Sequence, residues 1–294
     1  MDVVPTMDSI DHTDLRDIAV EVAQEAAAHV RRRRPEVFGG VGAARADDSG
    51  AVQSKTTPTD PVTIVDTESE QVVRKALARL RPDDAILGEE GGGAAHELSG
   101  VRWVVDPIDG TVNFMYGIPA YAVSVAAQID GVSVAGAVVD VVGEITYCAA
   151  RGAGAERVGP DGSRTALRCN PVDSLEMALL ATGFAYNTQR RSRQGELVAQ
   201  LLPKVRDIRR IGSAALDLCM VAAGLVDAHY EHGLSPWDWG AGALIAAEAG
   251  AHVVLPSADS LSAAGEVVVA AAPGIADELL AALVDLGITK PIPV

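Results

Sequence analysis

Three short apolar runs, each stopping on carboxylates, set the tightest limit on how this sequence folds. Residues 61–66 (PVTIVD) end on Asp66, 85–88 run into Glu89 and Glu90, and 101–105 run into Asp106 and Pro107. Each run has the length and apolar character of a strand. Carboxylates delivered at the carboxyl ends of successive strands gather along the edge of an open α/β sheet where ligands bind. Helical periodicity surrounds these strands. Leu15, Ile18, Val22, Ala26 and Val30 share one helical face behind Thr13 as N-cap, and the arginine run 31–34 closes that helix as solvated cations before Pro35. Thr67 and Glu70 form a capping-box pattern ahead of Val72, Val73, Ala76, Leu77 and Leu80, so Asp66 falls where strand hands over to helix.

Further along, 121–129, the turn Asp130-Gly131 and 132–142 predict a hairpin, extended by 144–150 and the Pro160-Asp161-Gly162 turn. A helix is expected from Ser213 through Leu216 and Met220, then a strand at 227–231. A helix beginning at Pro236 and stopping at Gly250 follows, with strands at 252–255 and 267–271 and an amphipathic helix at 275–286. Neither an internal repeat nor a linker divides the chain. From its elements alone the chain, residues 1–294, reads as one two-layered α/β unit with mixed sheets, 1–12 as a loose tail and 39–55 as a Gly/Ala/Asp/Ser-rich loop.

Charge then narrows the partners. A formal net charge of −16 over 294 residues opposes binding to nucleic acid or to an anionic membrane. A phosphate substrate would need local charge inversion, which bound divalent cations supply. Cys148, Cys169 and Cys219 are scattered without CxxC spacing, so neither a disulfide framework nor a zinc site is expected. The longest uncharged run, 110–129, carries Asn113, Gly117, Pro119 and Gln128, unlike a lipid-spanning helix. The N-terminal residues lack the basic and apolar regions of a signal peptide. A cytoplasmic protein is the expectation.

The most informative segment is WVVDPIDGTVNF, residues 103–114. Pro107 biases Asp106 toward extended backbone and Asp109-Gly110 favours a turn. Two carboxylates on such a bend can converge on one cation or on two neighbouring ones, with the Ile108 carbonyl between them as a further hard oxygen. Gly110 lets backbone approach a ligand closely, and the amides of Gly110 and Thr111 are candidate phosphate donors. Alone, each feature has a bland reading. A DxxDG run is a common surface turn, Glu89-Glu90 a solvated pair, and Asp238 in PWDWGAG a carboxylate satisfying a helix N-terminus. Their coincidence with buried strands and glycine runs favours ligand loops. His229 and His232 flank Glu231 without other soft ligands, so a structural or surface role is expected for them.

Together, WVVDPIDGTVNF, GEEGG and SPWDWGAGALIAAEAG resemble the signature set of inositol monophosphatases, within the lithium-sensitive, metal-dependent phosphatase superfamily. The resemblance runs from about Leu15 to the end. It implies an αβαβα five-layer sandwich with a mostly antiparallel first sheet and a mixed second sheet, and a homodimer. By matching position, Glu89, Asp106 and the Ile108 carbonyl would hold a first magnesium ion, Asp106, Asp109 and Asp238 a second, and Glu89 with waters a weaker third. Asp66 and Thr111 would orient the attacking water, with Glu89 helping to activate it. Lys55 matches a lysine on a mobile loop near the metals. Gly212, Ser213 and Ala214 match the segment lining the inositol ring, where Asp109, Gly110, Thr111 and Asp238 also meet substrate, and Glu231 matches the carboxylate receiving ring hydroxyls. A family serine that touches substrate has no counterpart near Ala185-Tyr186.

Oxygen-only ligands favour Mg²⁺, and a two-metal clamp about 3.5–4 Å apart can hold attacking and leaving oxygens in line. The expected reaction is hydrolysis of inositol 1-phosphate by direct attack of a metal-activated water, inhibited by Li⁺. Fructose 1,6-bisphosphate, histidinol phosphate or 3′-phosphoadenosine 5′-phosphate are alternative substrates. A non-catalytic regulatory binding protein on the same fold is the alternative of a different class.

Overall fold

The computed structural model describes residues 11–39, 51–55, 60–93 and 100–294. Residues 1–10 of the expected tail and 40–50 of the 39–55 loop lie outside the described residues, while Asp11 and His12, expected in the tail, belong to the start of the first helix. Helix α1 (His12–Phe38) begins two residues earlier than expected, because Asp11 rather than Thr13 caps it, its carboxylate accepting from the Thr13 amide at 2.8 Å. Nor does α1 end at Arg34. Pro35 lies inside it, and Gly39 closes the last turn by donating to the Pro35 carbonyl at 3.0 Å. The arginine run is only half solvated. Arg34 is buried and donates to the carbonyls of Gly39 (2.9 Å) and Phe114 (3.1 Å), so it anchors the end of α1 to the segment after the DPIDG turn.

A small hairpin of β1 (Val52–Ser54) and β2 (Pro61–Thr63) leads into α2 (Ile64–Leu80). The first sheet contains β3 (Ala85–Gly88), β4 (Val101–Asp109), β5 (Ala122–Ile129), β6 (Val132–Asp140), β7 (Ile145–Ala150), β8 (Gly154–Val158) and β9 (Arg164–Ala166), side by side in chain order. Short helix α3 (Thr111–Tyr116) joins β4 to β5. Only β3–β4 is parallel; the remaining pairs are antiparallel. The β5–β6 turn is the one the Asp-Gly pair predicts, with φ of 51° at Asp130 and 79° at Gly131.

The second sheet is mixed, in the order β11-β10-β12-β14-β13. It and its helices comprise β10 (Leu179–Thr182), α4 (Thr188–Leu201), β11 (Asp207–Arg209), α5 (Ala214–Ala222), β12 (Ala228–His232), α6 (Pro236–Glu248), β13 (His252–Val254), β14 (Val267–Ala271) and α7 (Ala276–Asp285). Strand β10 runs parallel to β11 and β12, whereas β14 is antiparallel to its neighbours.

Strand alternation builds the layers. On β4, Trp103 and Val105 face α1 and α2, while Val104 faces α5 and α6. On β14, Val268 and Ala270 face α5 and α6, while Val269 and Ala271 face Leu197 of α4 and Leu279 and Leu283 of α7. The order is helices, sheet, helices, sheet, helices: the expected five-layer αβαβα sandwich. Alanine is the commonest buried side chain in the middle layer, which lets α6 lie close to the first sheet; a Cβ on Gly136 of β6 would stand 3.0 Å from the Ala241 backbone of α6.

Candidate active site

A regular strand would send Asp106 and Asp109 to opposite faces, because three residues is an odd separation. Strand β4 does not stop at Val105, as the sequence predicts, but continues to Asp109 with a bulge. Asp106 pairs with Ser124 and Asp109 with Ala122, so three steps on β4 oppose two on β5. Proline at 107 cannot donate to the ladder, which locates the irregularity. The bulge brings both carboxylates and Ile108 onto one cavity. Gly110 then turns the chain at φ 99° into α3; a Cβ there would meet the carbonyls of Ala120 and Gly212 at 3.0 and 3.1 Å.

Parallel pairing of β3 with β4 sets Gly88 beside Val105, so Glu89 emerges next to Asp106, its amide donating to the Val105 carbonyl at 3.2 Å. Two groups hold this loop. Glu70 of α2 accepts from the amides of Glu90 and Gly91, each at 2.8 Å, and is itself held by Arg74 at 2.7 Å. Lys55 places its ammonium 2.7 Å from Glu89 and 2.5 Å from Glu90. Removal from water opposes the lysine's charge, yet the two glutamates outweigh it and hold its pKa above the usual range.

The α2 cap differs from expectation. Thr63, not Thr67, is the N-cap, and the reciprocal partner is Asp66, which accepts from the Thr63 amide at 3.0 Å and from its hydroxyl. Asp66 therefore sits in the first turn of α2 rather than at a strand end, and Glu70 is freed to hold the 89–91 loop. Fully buried, Asp66 receives the Thr111 hydroxyl at 3.1 Å; the same hydroxyl lies 3.1 Å from the Ile108 carbonyl. Asp66 itself does not line the cavity, whereas Thr111 does.

Two helix starts supply the other carboxylate positions. Ser213 caps α5 and donates to Asp109 at 2.6 Å, as does the Ala215 amide at 2.6 Å, so Asp109 faces the positive end of that helix. Asp238 is in the first turn of α6, where it accepts from the Ser235 amide at 2.7 Å and also lines the cavity. The bland reading of Asp238 and the ligand reading hold together. Strand β12 presents Glu231, and its carboxyl fills the space a Cβ on Gly183 would occupy.

Every residue that the resemblance placed in the site except Asp66 lines one cavity of about 570 Å³: Lys55, Glu89, Asp106, Ile108, Asp109, Gly110, Thr111, Gly212, Ser213, Ala214, Glu231 and Asp238. The electrostatics there are strongly unfavourable to anions. Burial, then the charges of Glu89, Asp109 and Asp238, push Asp106 well above the carboxylate range. Burial followed by Glu89 and Asp109 does the same to Asp238. Asp109 rises through burial against the pull of its Ser213 and Ala215 hydrogen bonds. Burial lifts Asp66 to about 7 and Glu231 to about 8. A group of buried hard oxygens that destabilise one another, with a lysine ammonium already drawn to one, fits divalent cations.

Sequence reasoning missed several contributors. Glu70 was assigned to a cap, and nothing in the spacing shows that it reaches the 89–91 loop. Asn113, within the quoted TVNF run, donates to the carbonyls of Ala120 (2.7 Å) and Ile211 (2.9 Å), tying α3 to the segment before α5. Tyr186, Arg210 and Asp217 also line the cavity. Tyr186 stands near the missing serine, and burial raises its phenol pKa. His229 and His232 are both buried, so the surface reading fails for each.

Fold and site together define a layered α/β protein that gathers carboxylates from two strands, a loop and a helix start around one cleft. A sequence model described as the inositol monophosphatase family matches residues 11–288, and the chain belongs to that family. The inositol-1-monophosphatase SuhB of Mycobacterium tuberculosis (strain ATCC 25618 / H37Rv) is 60% identical over 95% of this chain and 96% of its own length. A relative named Nus factor SuhB, from Vibrio cholerae, is 40% identical over 66% of this chain and 71% of its own. The solved structure of Mycobacterium tuberculosis SuhB matches with a TM-score of 0.80 at 53% identity, covering 96% of this chain and 100% of that one. By this membership the chain is an enzyme of the phosphatase class. Among the described residues, no helix is long and apolar enough to cross a membrane.

Proposed function

We propose that the chain is a Mg²⁺-dependent phosphomonoesterase that hydrolyses inositol 1-phosphate to inositol and phosphate. The observation that carries this reading is the meeting of Glu89, Asp106, Asp109 and Asp238 on one cavity whose lining sets seven carboxylates against the three cations Lys55, Arg190 and Arg210. Glu89, Asp106, Asp109, Asp238 and the Ile108 carbonyl would hold two or three ions. When bound, these would neutralise the phosphoryl oxygens and lower the pKa of the attacking water. Thr111, whose hydrogen goes to Asp66, keeps an oxygen lone pair for a water at the cavity face, so Asp66 acts through Thr111. Glu89, which lines the same cavity, would help to activate that water. The amides of Gly110 and Thr111 would take phosphate oxygens, Gly212 to Ala214 would line the alcohol side, and Glu231 would receive its hydroxyls.

Phosphate release from inositol 1-phosphate, measured with and without Mg²⁺, tests the proposal. Mg²⁺-dependent release is expected, with inhibition by millimolar Li⁺. Indifference to Mg²⁺, or a trapped phosphorylated residue, would overturn it. A substrate panel including fructose 1,6-bisphosphate decides the range of alcohols accepted. A cytoplasmic, homodimeric enzyme is the accompanying expectation, and sedimentation equilibrium tests the dimer. The relative named Nus factor supports a second reading, a regulatory binding protein on the same fold. Asp109→Asn separates the two: turnover collapses, whereas a purely binding function survives.

A further inference from the structure

Beside the oxygen-rich carboxylates lies a second cluster of different chemistry. Along β12, Ala228 and Tyr230 enter the core shared with α4 and α7, so His229 and Glu231 project to the opposite face, toward α5. There the His229 Nδ1 lies 3.7 Å from an Asp217 carboxylate oxygen. One donor atom each from Asp217, His229 and Glu231 lies within 4.8 Å of the other two. Among the described residues, this is the one group of three or more His, Cys, Asp or Glu donors packed so closely.

The cluster is unsatisfied. His229 is 0% exposed and Asp217 1%, yet neither imidazole nitrogen nor Asp217 Oδ1 has a hydrogen-bond partner among the described residues. Buried polar atoms left this way are rare in native proteins and imply an absent partner. Arg210 favours the charged forms of Asp217 and Glu231 from across the cavity, and Asp109 opposes them, but no hydrogen bond joins Arg210 to either among the described residues. Ionised together, Asp217 and Glu231 would set two negative charges beside a neutral imidazole, an arrangement that burial disfavours unless a cation joins them. Asp217 and Glu231 line the cavity, which supplies an entry path, and His229 closes the site from behind.

We propose that Asp217, His229 and Glu231 form a second cation site that takes a divalent ion of the zinc class, with an open position toward the cavity. One imidazole nitrogen and two carboxylate oxygens suit such an ion, whereas the oxygen-only set suits Mg²⁺. An ion held here would take up a Glu231 carboxylate oxygen, so on the proposed function it would alter how the alcohol part of the substrate binds.

Cobalt is the probe, since Co²⁺ occupies zinc-type sites and absorbs in the visible. Chelator-stripped full-length protein is titrated with Co²⁺ in saturating Mg²⁺. One equivalent should produce intense d–d bands that Zn²⁺ abolishes, and Asp217→Asn and His229→Gln should lose them while keeping the wild-type circular dichroism. Absence of bands from the wild type, or bands undiminished in both variants, overturns the proposal. X-ray absorption on Co²⁺-loaded wild type guards against variants that do not fold. Imidazole scattering in the first shell is expected, and an all-oxygen shell refutes the site.

Discussion

Asp109 has one carboxylate oxygen committed to Ser213 Oγ and the Ala215 amide, both at 2.6 Å, which fixes the side chain before any ligand arrives. Asp109→Asn removes the charge and, with its Oδ1 still accepting from those donors, turns an NH2 toward the cavity, so kcat should fall by roughly 100-fold or more while circular dichroism is unchanged. Glu70 positions Glu89 without reaching the cavity itself. Glu70→Gln should raise the Mg²⁺ concentration for half-maximal activity by about 10- to 100-fold, with kcat largely recovered at saturating Mg²⁺. An unchanged Mg²⁺ requirement would remove Glu70 from the site's support. Gly183→Ala displaces the Glu231 carboxyl, so KM for inositol 1-phosphate should rise more than kcat falls. At this scale the sequence was informative wherever a residue belonged to a local motif. It was silent on Glu70 and Gly183, whose partners are 20 and 48 residues away.

At the scale of elements, the bulge in β4 matters most. Pro107 marks its position, but only pairing with β5 shows that the extra residue turns Asp106 and Asp109 to the same side. Gly110 completes the exit at φ 99° with backbone carbonyls close to its α-carbon. Gly110→Ala should cost about 1–2 kcal/mol from backbone conformation alone, read as a lower urea midpoint at constant m. The β5–β6 hairpin and helices α5 and α6 were legible because an Asp-Gly turn, a serine cap and a proline at the first helical position are local devices. Strand β10 and helix α4 were not. The first is four residues long, and the second (TQRRSRQGELVAQL) has few apolar positions, Leu197 and Leu201 carrying its deepest contacts.

For the whole molecule, the fold stores charge that cations must balance. Without them, Asp66 (about 7) and Glu231 (about 8) bind protons more tightly in the folded chain than at their ordinary values of 3.8 and 4.5. That contribution is complete below the ordinary values and is lost as pH rises through 7 to 8. The Tm of chelated protein should therefore fall between about pH 5 and about pH 8, and Mg²⁺ should raise it more at the upper end, by calorimetry. A Tm of the chelated protein that climbs over this range would contradict the electrostatic account.

The amino-acid sequence by itself singled out carboxylates that line the cavity, because GEEGG, DPIDGT and PWDWGAG are continuous motifs whose chemistry survives without coordinates. It also determined the α/β class, through the alternation of short apolar strands with capped helices, whereas the five layers followed from the family resemblance. Tertiary structure decided how those oxygens meet: parallel β3–β4 pairing brings Glu89 to Asp106, a bulge turns Asp109, and the starts of α5 and α6 orient Asp109 and Asp238. It alone decided that Asp217, His229 and Glu231 share a buried corner. Such proximity depends on register and packing between distant segments, and hydrophobic periodicity specifies the faces of an element without naming what lies opposite.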